Sequence, residues 1–173
     1  MLILGAAVTA QSATRDTVVG TGRRVTLPSW GNGAPSLTLL LPKGFELKST
    51  KGPDFDVHQL RHPQDIGVLS IYVGHHPDRK ADESAAPIKK KFGNQQVEFR
   101  KKKTAYGSFA DALIPDFFKA DAGDGVDKLI LHVFVHAKEE RFYDEVWPML
   151  ESVGKSKRSG QQGGAANAAP PHR

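Results

Sequence analysis

Hydrophobic and polar residues alternate along most of the chain, a pattern typical of β-strands. The clearest case is LILHVFVHA at residues 129–137, in which leucine, valine and alanine occupy the odd positions from Leu129 to Ala137. The even positions hold Ile130, His132, Phe134 and His136. Because successive side chains of a strand point to opposite faces, this run predicts a strand with one wholly apolar face and one semi-polar face.

Shorter runs of the same kind predict further strands. They are RRVTLP, SLTLLLP, FELKS, DFDVHQLRH, GVLSIYVG, QQVEFRKKK and YGSFADALIPDFF. A His-Pro-Gln-Asp corner at 62–65 separates the runs at 54–62 and 67–74, so these two predict an antiparallel hairpin.

Two segments have features of helices. Residues 82–92 (DESAAPIKKKF) predict a short helix with Pro87 in its first turn. In EERFYDEVWPMLESV (139–153), apolar residues recur at helical spacing from Phe142 to Val153. Pro148 is expected to kink this helix or split it near Asp144, and Gly154 to end it. The predicted class is α+β: an antiparallel sheet with a C-terminal amphipathic helix and one short midway helix packed on it.

The composition of the two ends sets the expected domain limits. MLILGAAVTA is apolar and ends in small residues, as in a secretory signal cleaved after Ala10. We therefore expect a secreted or periplasmic protein, with a cytoplasmic protein as the alternative. Residues 1–22 are interpreted as a signal remnant and flexible segment, and 23–153 as a single domain. Residues 154–173 lack large apolar side chains and predict a disordered, basic, low-complexity tail.

Charge is distributed unevenly along the chain. The net charge is +5, and residues 154–173 account for +4 of it because they contain four basic residues and no acid. Residues 79–103 hold nine Lys/Arg and three Asp/Glu, whereas residues 104–153 hold four and ten. The basic clusters are Lys89, Lys90, Lys91, Arg100, Lys101, Lys102 and Lys103. We expect them to contact a protein partner or an anionic surface, and we expect no specific nucleic acid partner.

The histidines are the candidate metal ligands, since the chain has no cysteine. His132 and His136 are about 13 Å apart along an extended strand, too far to share one ion. The same spacing excludes His58 with His62 as a chelating pair. His75 and His76 follow a strand in an irregular loop, and with His58 they form the candidate metal set. DAGDGVD (121–127) is rich in carboxylates but lacks the order of an EF-hand, so a hairpin loop is the better interpretation.

The order of elements resembles that of the PsbP-like family of extrinsic photosystem proteins and exported bacterial domains. The resemblance covers residues 23–153 and depends on LPKGF (41–45), the hairpins, the midway helix, the long apolar strand and the terminal FYDEVWPMLESV. It implies a small, non-catalytic binding or assembly-supporting protein, although fold-level similarity alone does not assign function.

No nucleophile elbow, phosphate loop, Rossmann glycine pattern or zinc-protease motif occurs in the sequence. The leading hypothesis is therefore a non-enzymatic, exported domain without a cofactor. It would bind a protein partner or an anionic envelope surface. The alternative is a metal-dependent hydrolase whose site is assembled from dispersed residues such as His58, His75, His76 and Asp111.

Overall fold

The structure is a computed structural model that describes residues 22–29, 35–77, 83–119 and 128–156. The signal-like start, the DAGDGVD loop and the tail beyond residue 156 lie outside these described residues. The predictions made for those segments therefore stay predictions.

Ten strands and one helix form the described part of the chain. They are β1 (Arg23–Leu27), β2 (Leu37–Leu41), β3 (Glu46–Lys51), β4 (Phe55–Arg61), β5 (Gly67–Gly74), β6 (Ala86–Phe92), β7 (Gln95–Thr104), β8 (Gly107–Ile114), β9 (Ile130–Ala137), α1 (Phe142–Glu151) and β10 (Gly154–Lys155). Seven strands form one antiparallel sheet in the order β3-β4-β5-β9-β8-β7-β6. The remaining three form a smaller antiparallel sheet in the order β1-β2-β10.

The core lies on one face of the seven-stranded sheet, which we call the inner face. On β9, Leu131, Val133 and Val135 are all 0% exposed, as the alternation of the sequence predicts. The strand prediction for this segment is confirmed. The predicted hairpin is confirmed too, since β4 and β5 pair in antiparallel register from Phe55 opposite Gly74 to Arg61 opposite Val68. Burial of these alternating aliphatic side chains is the main force that fixes the register of the sheet.

Helix α1 packs on the inner face through its apolar side. Phe142, Val146 and Leu150 are 0% exposed, which agrees with the helical spacing of the sequence. The close fit is visible at Gly67, where an added Cβ would lie 2.2 Å from the ring of Phe142. Pro148 lies within the helix and does not split it. Gly154 follows the helix as the first residue of β10.

The small sheet contributes Leu27, Leu37, Leu39 and Leu41 to the core. β1 pairs with β2, and the two residues of β10 pair with Thr38 and Leu37 of β2. Ser156 N also donates a hydrogen bond of 2.8 Å to the Ser36 carbonyl. Residues 154–156, predicted to begin the disordered tail, therefore belong to the folded domain.

The predicted α+β class is wrong, because the described structure is mostly β, with 56% of residues in strands and 10% in helix. Residues 86–92 of the segment predicted as a midway helix form strand β6, which is paired along its length with β7. Its side chains follow a period of two: Ile88, Lys90 and Phe92 face inward, and Lys89 faces outward. Pro87 is tolerated because β6 is an edge strand of this sheet.

Within the described residues, no helix is both long and apolar enough to cross a membrane.

Candidate binding surface

The seven-stranded sheet has a second face, which we call the outer face. It is formed by the residues that alternate with the core residues on each strand. In its centre lie Val57 and Gln59 of β4, Ser70 and Tyr72 of β5, His132, Phe134 and His136 of β9, Phe109, Asp111 and Leu113 of β8, and Arg100 and Lys102 of β7. Most of these side chains are half-buried, whereas their inward neighbours are completely buried. This contrast identifies the outer face as the more accessible side of the sheet.

Three stacked rings lie at the centre of the outer face. Antiparallel pairing places Phe109 of β8 directly opposite His136 of β9. Their ring centroids are 4.5 Å apart and the ring planes are within 10° of parallel. Phe134 extends the stack, with its centroid 5.5 Å from that of Phe109 and an interplanar angle of 28°. A centroid distance of 4.5 Å with nearly parallel planes means that the ring faces contact each other, so the rings form one aromatic cluster across two strands.

A polar pair lies next to the stack. His132 Nε2 is 3.5 Å from Asp111 Oδ2, which is near enough for an ion pair but beyond a hydrogen bond of ordinary length. The two residues are 7% and 9% exposed, and His132 Nε2 has no hydrogen-bond partner within the described structure. A buried ring nitrogen of this kind is usually satisfied by water or by a ligand.

Two cations border the stack on the neighbouring strand. Lys102 of β7 lies opposite Phe109, and Arg100 lies opposite Asp111. Arg100 Nη2 also contacts Glu98 Oε1 at 2.7 Å. The outer face therefore places stacked aromatic rings beside two basic side chains, one of which is balanced by Glu98.

The predicted basic cluster is divided between the two faces of the sheet. Lys90 lies over the ring of Trp147 at 5.2 Å, and Lys101 lies over that of Tyr143 at 4.2 Å while its Nζ contacts Glu140 at 2.6 Å. Lys91 Nζ contacts Glu151 at 2.8 Å. Contacts with the helix thus use three of the predicted partner-binding residues. By strand parity, Lys103 faces inward with Lys101, while Lys89, Arg100 and Lys102 face outward.

The candidate metal ligands lie in different environments. His58 is on the inner face, 2% exposed, and its Nδ1 is 2.9 Å from Ser49 Oγ. Burial lowers the pKa of His58 to about 4, so this imidazole is neutral at pH 7. His75 and His76 follow β5, with ring centroids 6.3 Å apart. In the part of the chain that the structure describes, no group of three His, Cys, Asp or Glu residues is arranged to hold a metal ion.

The dispersed residues of the hydrolase hypothesis are also separated. His58 points to the inner face with Leu60, whereas Asp111 belongs to the outer face with Phe109. The sheet itself therefore lies between these two side chains. The partner that Asp111 does contact, His132, was interpreted from the sequence only as a residue of a semi-polar strand face.

Sequence reasoning did not identify the contribution of β8 to this surface. Phe109, Asp111 and Leu113 occur at alternating positions in YGSFADALI. This spacing of two was a usable signal for one face of a strand. It does not indicate which strand lies alongside, so the stack of Phe109 on His136 was not predictable.

No family model, curated protein or solved structure matches the chain. The resemblance to the PsbP-like family therefore stays a prediction.

Proposed function

We propose that the protein is a non-enzymatic binding domain whose outer face binds an acidic segment of a partner protein. The observation that carries this proposal is the half-buried stack of Phe109, His136 and Phe134 beside the cations of β7. Aromatic side chains and arginine are the residue types most enriched where protein interfaces derive their binding energy.

A protein partner suits this face better than a membrane surface. Interfacial membrane binding depends on apolar side chains that project into the lipid. Among the described residues, Tyr106 is the strongly exposed large hydrophobic residue, at 85%, and it lies in the β7–β8 turn rather than in the stack. The stacked rings are half-buried on the sheet, which favours contact with another protein surface.

The charges of this face favour an acidic partner. Glu98 is paired with Arg100, and the carboxylate of Asp111 lies on the strand beside Arg100. Lys89 and Lys102 add positive charge on the outward side of the β6–β7 hairpin. A partner segment with Asp or Glu beside aromatic or aliphatic residues would complement both the charge and the apolar surface.

The experiment uses a synthetic peptide in which Glu and Asp alternate with Phe and Leu, titrated into ¹⁵N-labelled protein. A peptide with Lys in place of each acid is the charge-reversed control. Phe109→Ala and Lys102→Glu alter the outer face. Their matched controls are Tyr106→Ala, which removes an exposed aromatic ring elsewhere, and Lys43→Glu, which reverses an exposed charge in the β2–β3 turn.

We expect the acidic peptide to shift amide signals of β8 and β9, with affinity that falls as salt rises. Phe109→Ala should weaken binding about tenfold, as is typical of a central interface aromatic, while the controls bind as the wild type does. Equal effects of Phe109→Ala and Tyr106→Ala would contradict the proposal. Tighter binding of a single-stranded RNA oligonucleotide would contradict it as well, because sheets with aromatic faces also stack bases.

A further inference from the structure

A cavity lies at the end of the seven-stranded sheet, between the β7–β8 turn and the segment before α1. Its volume is about 280 Å³. The residues that line it are Lys103, Thr104, Gly107, Ser108, Ala137, Lys138 and Glu140. A volume slightly below the usual range of drug-sized pockets, roughly 300–1,000 Å³, suits a small ligand or one functional group of a larger one.

The wall of this cavity contains a buried polar atom without a well-formed hydrogen bond. Ser108 is 2% exposed, and its Oγ makes no hydrogen bond of ordinary geometry within the described structure, although it is close enough to the Glu140 carboxylate and the Tyr143 hydroxyl to affect the pKa of both. The neighbouring hydroxyl of Tyr143 is unpartnered in the same way. A buried hydroxyl that forms no hydrogen bond costs free energy, and a ligand oxygen in the cavity would remove that cost for Ser108.

The charges around the cavity leave one cation available. Lys138 Nζ contacts Asp65 Oδ2 at 2.5 Å, and Lys101 Nζ contacts Glu140 Oε2 at 2.6 Å. Both pairs are therefore neutralised locally. Lys103 is exposed and has no ion-pair partner at contact distance among the described residues. Its ammonium therefore has no close counter-ion, although it is near enough to Glu140 to lower the pKa of that carboxyl.

We propose that this cavity binds a small oxyanion, a carboxylate or phosphate group, between the ammonium of Lys103 and the hydroxyl of Ser108. Both groups can donate a hydrogen bond to the same anion, and bonds between charged groups are the stronger kind. The site is separate from the outer-face stack and does not depend on the partner proposed for that face.

The carboxylate of Glu140 allows a test of whether the bound ligand is negatively charged. Its carboxylate lines the cavity and repels an anion, although Lys101 occupies one of its oxygens. The hydrogen bond from Lys101 lowers the pKa of Glu140, and the nearby Ser108 and Lys103 act in the same direction, so the carboxylate stays ionised at neutral pH. Replacing it with a neutral amide should therefore strengthen anion binding. A ligand held through an amine would respond in the opposite way.

The experiment titrates full-length ¹⁵N-labelled protein with sodium phosphate and, separately, with sodium acetate, at constant ionic strength maintained by sodium chloride. We expect saturable shifts of the amides of Lys103, Ser108 and Glu140 with at least one of the two anions. A preference for phosphate would identify a phosphorylated ligand, and a preference for acetate a carboxylate ligand. No saturable shift with either anion would overturn the proposal.

Single substitutions test whether the anion binds in this cavity. Lys103→Gln should weaken it about tenfold, the effect of losing one hydrogen bond to a charged group. Ser108→Ala should weaken it several-fold without loss of folding, and Glu140→Gln should strengthen it. The matched control Lys43→Gln and the outer-face variant Phe109→Ala should both leave it unchanged. Weaker binding by Glu140→Gln, or equal losses in Lys103→Gln and Lys43→Gln, would overturn the proposal.

Discussion

The buried histidine of β4 provides the sharpest test of the structure. His58 is 2% exposed on the inner face, and burial lowers its pKa from 6.5 to about 4. In the unfolded chain the same imidazole recovers its ordinary pKa. Between these two values the unfolded state binds a proton that the native state does not, so acidification favours unfolding. The stabilising contribution is complete above pH 6.5 and is lost as the pH falls toward 4.

The size of the effect follows from the two pKa values. They are about 2.5 pH units apart, and one unit corresponds to about 1.4 kcal/mol, so the full contribution is about 3 kcal/mol. Between pH 7 and pH 5 the linkage relation gives a loss of about 2 kcal/mol from this residue. For a domain of ordinary stability, that loss is large enough to measure by chemical denaturation.

The assay is urea unfolding of the wild type and of His58→Asn at pH 7, 6 and 5. Asparagine cannot titrate. Between pH 7 and 5, the free energy of unfolding of the variant should therefore fall by about 2 kcal/mol less than that of the wild type. His136→Asn, at a half-buried position of the outer face, is the matched control and should keep the full loss.

Identical pH dependence in the wild type and His58→Asn would refute the reasoning. A reversed difference would refute it too, because it would mean that the buried carboxylate of Asp56, on the same face of β4, holds His58 charged. The wild type and His58→Asn have the same remaining histidines, so the difference between their pH dependences reports on His58 alone.

Two further predictions concern the packing of α1 and are checked by urea unfolding at pH 7. His62 is 7% exposed. Its Nδ1 accepts a hydrogen bond from Gln64 N, and its Nε2 lies 3.1 Å from Glu145 Oε1. Because His62→Ala removes both the packing and these contacts, it should lower the free energy of unfolding by about 2–4 kcal/mol. A loss below 1 kcal/mol would contradict this role. Gly67→Ala should cost about 1–3 kcal/mol because its Cβ would collide with the Phe142 ring, whereas the control Gly154→Ala has its nearest contact at 3.2 Å and should cost less. Equal costs at the two glycines would show that the helix is not seated as described.

Segments with strong periodicity were predictable from the sequence. The alternation in LILHVFVHA indicated strand β9 and its apolar face, and the helical spacing from Phe142 to Leu150 indicated α1. In both cases the local pattern and the burial in the fold agree, because one continuous face carries nearly all the large apolar side chains. The same agreement explains the correct prediction of the hairpin at 54–74.

The segment at 82–92 shows where the local signal misleads. Alanine and lysine favour a helix by intrinsic propensity, yet residues from Ala86 onward form edge strand β6. The deciding contacts are distant in sequence: pairing with β7 and the packing of Lys90 against Trp147 of the helix. Tertiary pairing of this kind outweighs a propensity difference of a few tenths of a kcal/mol per residue.

The candidate sites depended even more on tertiary structure. Alternation placed His58 and Leu60 on the same side of a strand, but only the fold shows that this side is the core and that Ser49 of β3 lies beside the imidazole. The stack of Phe109 on His136 and the cavity containing Ser108 likewise involve residues from neighbouring strands. The local sequence of a strand does not determine which strand lies beside it. A sequence of this kind determines which side chains share a face, because the period of a strand is local. The neighbours across strands are determined by sheet order and register, which are set by the collective burial of the whole core.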